Sequence, residues 1–293
     1  MSSMTISESF QLMLGALDPT EAELSSVVQH LGTVKTRLES TFELKKFLKV
    51  GSFSRGTFIS GHSDVDVFAV VSRDEVRRGS SYVSSNTVLD NFKQELEGRF
   101  WNSIVYRDVQ AVEVEFADSQ VDVVPAFFGG VTEQNWPLYH MPDGAGGWMR
   151  TSPGLHNAYI KQENEASIGK IRGTARLMKY WRECRSPRIP LSSFYIEMVL
   201  ASEGICRGVK SYAQCMTEVL QLIAQRECRG MLDPLHISGS IEAVKTLNQR
   251  DASLTSIRYS RDHAKSALSA EKSQDIEEAK RQWDIVFNGL FPW

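Results

Sequence analysis

The segment that most limits what this chain can fold into is Asp64-Val65-Asp66-Val67-Phe68-Ala69-Val70-Val71. Side chains of a β-strand alternate faces, so Asp64 and Asp66 share one face while Val65 and Val67 point the other way, into a core. Two carboxylates on one face repel unless a cation sits between them. Hard oxygen donors in that arrangement suit Mg²⁺ or Mn²⁺, and a pair of such ions can activate an attacking hydroxyl and steady a leaving pyrophosphate.

A third acid completes the pattern. Val112-Glu113-Val114-Glu115-Phe116 alternates like a half-buried strand, residues 117–120 read as a short turn, and Val121-Asp122-Val123-Val124 resumes the strand pattern. Asp122, the only acid of that second strand, is flanked by valines, where an ionised carboxylate is costly unless it is paired or ligates a metal. Upstream, Gly51-Ser52-Phe53-Ser54-Arg55-Gly56-Thr57 reads as a Gly-Ser turn, with Gly51 and Ser52 as candidate nucleotide ligands. Gly-Ser alone is ordinary turn chemistry, and an acid pair alone is a common guard on edge strands. Their joint order and spacing, with Asp122 embedded in valines, point to a metal-nucleotide site and to nucleotidyl transfer.

These residues resemble the polymerase-β-like nucleotidyltransferase superfamily. The Gly51–Thr57 segment, Val-Asp-Val-Val-Pro-Ala-Phe around Asp122, and Met141-Pro142-Asp143 followed by Gly147-Trp148-Met149 narrow the resemblance to the bacterial CD-NTases, relatives of cyclic GMP-AMP synthase and the oligoadenylate synthases. It covers roughly residues 40–200. The fold it implies is α+β: a polymerase-β-like core with a mixed sheet, residues 1–150 including a long N-terminal helix, and a helical lobe, residues 151–293, closing the nucleotide cleft. It implies two Mg²⁺ (or Mn²⁺) per site on Asp64, Asp66 and Asp122, and ribonucleoside triphosphates (ATP, GTP, UTP or CTP) as substrates. The implied product is a cyclic di- or oligonucleotide second messenger in antiphage signalling, with a regulatory protein partner and a downstream effector.

The same resemblance directs attention to the second half. Residues 168–181 carry Ile168, Ile171, Ala175, Leu177, Met178 and Trp181 beside Lys170, Arg172, Arg176, Lys179 and Arg182, an apolar face next to a basic one. In the related synthases a lysine in such a Leu-Met-Lys context contacts the donor phosphates, which makes Lys179 a candidate, placed on the polar face of its helix. Pro190-Leu191-Ser192-Ser193-Phe194-Tyr195 begins the next helix, with Ser192 or Ser193 at its N-cap. By resemblance Ser193 touches phosphate and Phe194 stacks on the base. Capping alone would account for the serines, and an aromatic at this position is more often core.

Composition sets limits. The 293 residues, 42% of them hydrophobic, suffice for a sizeable core and two lobes. No apolar run approaches the roughly 18 residues that span a bilayer, and the N-terminus lacks a signal-peptide pattern, so a cytoplasmic protein without membrane contact is expected. Cys184, Cys206, Cys215 and Cys228 show no metal-binding spacing, so neither a zinc ribbon nor a disulfide framework is indicated. A net charge of -3 and a pI near 6.1 argue against a broad phosphate-binding surface, and no long nucleic acid is required. His62 and His156 are read as loop and structural residues.

Apolar spacing predicts a helix within residues 20–48 (Leu24, Val27, Val28, Leu31, Val34, Leu38) and another over 86–100 (Val88, Leu89, Phe92, Leu96). Residues 127–153, rich in Gly and Pro, are expected to be irregular. Trp283, Phe287, Leu290 and Phe291 are spaced to dock a C-terminal helix. Two other activities stay open at this level: transfer to a small molecule, tRNA or protein, and non-catalytic nucleotide binding.

Overall fold

The computed structural model describes residues 4–293. Its packing divides them into two compact units, Pro19–Ala158 and residues 4–18 with Tyr159–Trp293. The sequence places the cut at 150; in the structure it falls inside a helix, and the first helix, α1 (Ile6–Ala16), packs within the second unit.

In the Pro19–Ala158 unit, α2 (Glu21–Glu39) starts at Thr20, whose hydroxyl accepts from the Glu23 amide while the Glu23 carboxylate accepts from the Thr20 amide. Val27, Leu31, Val34 and Leu38 recur at helical spacing and are buried, whereas Val28, expected on that face, is exposed. The chain then forms β1 (Leu44–Lys49), the short helix α3 (Gly51–Arg55), β2 (Val65–Val71), a small hairpin of β3 (Arg77–Arg78) and β4 (Ser81–Tyr82), and α4 (Ser85–Arg99). The remaining strands are β5 (Ile104–Arg107), β6 (Val112–Glu115), β7 (Gln120–Val131), β8 (Pro137–Pro142) and β9 (Trp148–Thr151). They build a seven-stranded mixed sheet in the order β1-β2-β7-β6-β5, with β8 also on β7 and β9 on β8. The β2–β7 pair is parallel and its neighbours are antiparallel.

Alternation decides which face is covered. Val65, Val67, Ala69 and Val71 of β2, Val121 and Val123 of β7, and Val112 and Val114 of β6 share one core with α2 and with Val88, Leu89, Phe92 and Leu96 of α4. Each fully buried valine is worth about 1.5–3 kcal/mol, so a one-residue slip of β2 would expose its valines and bury its acids at prohibitive cost. The opposite face carries Asp66 and Asp122 near the strand starts and an apolar patch of Phe68, Val70, Val124 and Ala126 farther along.

The region expected to be irregular is instead regular. β7 runs on to Val131, and β8 and β9 follow antiparallel to complete the sheet. Its glycines do local work: the β7–β8 register shifts between Phe128 and Gly130, and Asp143 closes the β8–β9 turn by accepting from the amides of Ala145 and Gly147.

The division falls within α5 (Pro153–Ala166). The second unit continues with α6 (Lys170–Glu183), α7 (Ser193–Ser202), α8 (Tyr212–Gln225), a small ribbon of β10 (Met231–Leu232) and β11 (Ser240–Ile241), the 26-residue α9 (Leu247–Lys272), and α10 (Ile276–Val286). Ile171, Ala175, Leu177, Met178 and Trp181 are buried as the spacing predicts. Ile168 is not: it precedes the helix with positive φ and lies exposed. Phe10 of α1 meets Trp283, Phe287 and Phe291 edge-on at 4.9, 6.2 and 5.1 Å between centroids, while Leu290 stays exposed. All four cysteines are buried and free. Among the described residues no helix is long and apolar enough to cross a membrane.

Candidate active site

The parallel β2–β7 ladder sets Asp66 directly beside Asp122. Asp64 stands one residue ahead of β2 and two from Asp66, and its charge acts on Asp122. All three are partly buried, and the valines between and around them are fully buried. Burial pushes the Asp122 carboxyl up to about 8, and the charges of Asp66, Asp64 and Glu113 add to the rise against a lowering hydrogen bond from Gln120. Desolvation disfavours the ionised carboxylate, and the neighbouring acids add to that penalty. The donor set is all carboxylate, which suits a hard divalent cation. As the side chains stand, no group of three or more His, Cys, Asp or Glu among the described residues closes into a metal-holding cluster.

Gly51 lies against this pair. Its φ is +60°, and a Cβ placed there would stand 1.7 Å from Asp66 Oδ2 and 2.5 Å from Asp66 Cγ, so conformation and space both require glycine. The Val50 amide donates to the Asp66 carbonyl at 2.9 Å, which ties the entry to α3 onto β2. The sequence reads Gly51-Ser52 as a turn; the structure winds it into the first residues of α3, ended by Gly56 in the left-handed region. Ser52 is buried, its carbonyl accepting from the Thr57 amide at 3.0 Å. Asn157 Nδ2 donates to Ser54 Oγ at 3.1 Å, and Ser54 Oγ donates to the Gly51 carbonyl at 3.0 Å, bracing the same turn of helix.

Three residues escaped the sequence reading. Antiparallel register sets Glu113 opposite Asp122, and Tyr106 opposite Glu113. Gln120 Nε2 donates to Glu113 Oε2 and to Asp122 Oδ1, both at 2.8 Å, and the Tyr106 hydroxyl, hydrogen-bonded to Glu113, has its pKa raised by that bond. The available signal was the hairpin: a turn within residues 116–119 forces Glu113 opposite Asp122.

The other candidates lie in the helical unit. Lys179 does not sit on a polar face: it is 1% exposed, with Nζ 2.7 Å from Oε1 of the equally buried Glu197 on α7. The helix is wrapped on more of its circumference than its basic residues imply, and Glu197, which the sequence reading passed over, supplies the compensating charge. Ser192, not Ser193, caps α7, accepting from the Tyr195 amide at 3.3 Å, so Ser193 is the first helical residue and is half-buried, as is Phe194. His62 is an exposed turn residue, and His156 is buried with Nδ1 3.0 Å from the Ser152 carbonyl.

Comparison with known proteins is informative against this geometry. The profile of the Second Messenger Oligonucleotide or Dinucleotide Synthetase domain matches residues 4–164, more than half of the chain. A Bacillus cereus (strain VD146) protein named "Probable cyclic nucleotide synthase" is 24% identical over 285 residues, covering 85% of this chain and 82% of its own length. The cyclic AMP-AMP-AMP synthase of Escherichia coli (strain MS 115-1) is 29% identical over 168 residues, 55% of this chain and 50% of that protein. Two solved structures, E. coli MS115-1 CdnC with ATP and CdnC in complex with HORMA-deltaN, superpose with TM-scores of 0.73 and 0.71 at 20% and 21% identity, covering 100% of each chain.

Proposed function

The chain belongs to the Second Messenger Oligonucleotide or Dinucleotide Synthetase family and is a bacterial CD-NTase of polymerase-β-like fold, and on that premise we propose that it joins ribonucleoside triphosphates into a cyclic di- or oligonucleotide. The observation that carries the proposal is the Asp66–Asp122 pairing across two parallel strands, with Gly51 pressed against Asp66.

Asp64, Asp66 and Asp122 would hold the divalent ions, Mg²⁺ or Mn²⁺ and two per site, which would supply hydroxyl activation and charge neutralisation at the departing pyrophosphate. The chain's own residues do the rest. Gly51 allows the backbone to approach the triphosphate, and the Ser52 hydroxyl contacts it. A ribose hydroxyl oxygen forms a bond to the α-phosphorus as the bond to the bridging oxygen breaks, and pyrophosphate leaves with the electron pair. Asp122, which faces Asp66 across the ladder, would hold the cation that activates that hydroxyl. A second round closes the ring. Lys179 and Ser193 are assigned to the donor phosphates and Phe194 to the base, an assignment for Lys179 that has to preserve its pair with Glu197. The product is proposed as a second messenger of a cytoplasmic antiphage system, acting on an effector. Its relative CdnC has been solved with a HORMA partner, which supports control by a partner protein here.

The test is incubation with all four ribonucleoside triphosphates and Mg²⁺, phosphatase treatment and mass analysis. A phosphatase-resistant cyclic product that disappears in Asp66→Ala and Asp122→Ala is expected. Linear products alone, or unreacted nucleotide from protein that binds ATP, would reject ring synthesis in favour of transfer to a foreign acceptor.

A further inference from the structure

Gln120 is a neutral group set among the acids of the sheet face. Two residues before Asp122 on β7, it shares that residue's face, while Glu113 comes from the neighbouring strand directly opposite Asp122. Like charges directly opposite on antiparallel strands are unfavourable. A primary amide carries two N–H donors. Here one nitrogen lies 2.8 Å from Glu113 Oε2 and 2.8 Å from Asp122 Oδ1, so both donors are committed, one to each carboxylate. Glu113 is also hydrogen-bonded by the Tyr106 hydroxyl on β5. The result is a continuous string, Tyr106–Glu113–Gln120–Asp122, that runs across three strands and ends on one oxygen of the acid facing Asp66.

We propose that Gln120 is a positioning residue of the active site: by donating to both Glu113 and Asp122 it fixes the Asp122 carboxylate through Oδ1 and orients it as a ligand for a divalent cation. The inference rests on the functional reading above, because it takes Asp122 as a ligand. Partners that orient a ligating carboxylate are worth about 10–100-fold in metal affinity or activity. A leucine at 120 keeps the volume and removes both donors. The carboxylates of Glu113 and Asp122 then lose the group that spaces them, and Asp122 loses its fixed rotamer.

The experiment measures Mn²⁺ binding by electron paramagnetic resonance, alongside kcat, nucleotide KM and melting temperature, for wild type, Gln120→Leu and Gln120→Thr. The threonine variant is a good strand former that is too short to bridge, and it guards against a folding defect peculiar to leucine. The expected result in both variants is Mn²⁺ affinity lowered by about 10-fold or more and kcat lowered with it, while nucleotide KM stays within about threefold and the melting temperature stays close to wild type. Unchanged Mn²⁺ binding and kcat would overturn the inference, and so would a lowered melting temperature with unchanged Mn²⁺ binding, which marks a structural staple only. Wild-type protein that binds Mn²⁺ but forms no cyclic product would remove the functional reading and still decide the role of Gln120 by the binding comparison. Wild-type protein that binds no Mn²⁺ overturns both.

Discussion

The space left by one missing Cβ sets where the Asp66 carboxylate can rest. At Gly51 any other L-residue meets the left-handed backbone penalty and a carboxylate oxygen at 1.7 Å. Gly51→Ala should therefore lose about 1–3 kcal/mol of stability to strain and, by displacing Asp66, on the order of 100-fold in turnover. Denaturant melts and product assays on one preparation test this, and a variant with wild-type turnover would show that Asp66 does not work from its observed position. Lys179 carries a different lesson. From the sequence its replacement is harmless to the fold; its burial against Glu197 predicts otherwise. Lys179→Ala removes the cation 2.7 Å from a buried carboxylate and should cost about 3–5 kcal/mol, whereas the paired change Lys179→Met with Glu197→Leu should recover most of it. Urea titration separates the two. Equal midpoints for wild type and Lys179→Ala would mean the pair bears no structural role, and a loss of activity could then be read as a phosphate contact alone.

At the level of elements, the legible parts were those whose pattern is local and periodic. Alternation identified β2, β6 and the start of β7, a three-four repeat identified α2 and α4, and the strand face that carries Asp66 followed from counting. Residues 127–153 misled because their glycines and prolines were weighed as breakers, although here they serve turns and an offset between strands whose pairing partners lie nearby. Ile168 misled because a hydrophobic residue at the right spacing sits outside the helix once Gly169 takes the left-handed N-cap. The site's neighbours Glu113 and Gln120 went unseen because register between strands, not composition, brings them to Asp122. Helix α1 is the extreme case, since the aromatic partners of its Phe10 lie more than 250 residues away in sequence and its capping box of Thr5 and Glu8 says only that it is a helix. Phe10 touches Trp283, Phe287 and Phe291, so Phe10→Ala should destabilise the helical unit by about 3–5 kcal/mol while the sheet keeps its own core. Hydrogen exchange resolves the two units, and equal loss of protection in β2 and β7 would contradict their independence.

Across the whole molecule two sets of carboxylates pull stability in opposite directions with pH. Glu8, Glu23, Glu43, Asp118 and Glu278 are held below the usual carboxylate range, first by hydrogen bonds from the Thr5 amide, the Thr20 amide, Lys45, Ser26 and Arg281 respectively. Their contribution is present above the unfolded carboxylate pKa and is lost as pH falls through the folded values. Asp122 runs the other way: its folded pKa of about 8 exceeds the unfolded value of 3.8, so the folded state keeps a proton that the unfolded chain gives up. Its contribution is full below 3.8 and is lost as pH rises through 8, at up to about 1.4 kcal/mol per pH unit and on the order of several kcal/mol in all. The metal-free protein should thus be most stable in mildly acid solution and soften toward pH 8. A divalent cation prefers the ionised carboxylate, so the stabilisation by Mg²⁺ should grow over the same interval. Asp122→Asn cannot titrate, and it should flatten the metal-free decline and blunt the Mg²⁺ gain together. Melting temperatures of both proteins from pH 5 to 9, with and without Mg²⁺, decide the matter. Parallel curves for wild type and Asp122→Asn would place the electrostatic load somewhere other than the carboxylate that faces Asp66.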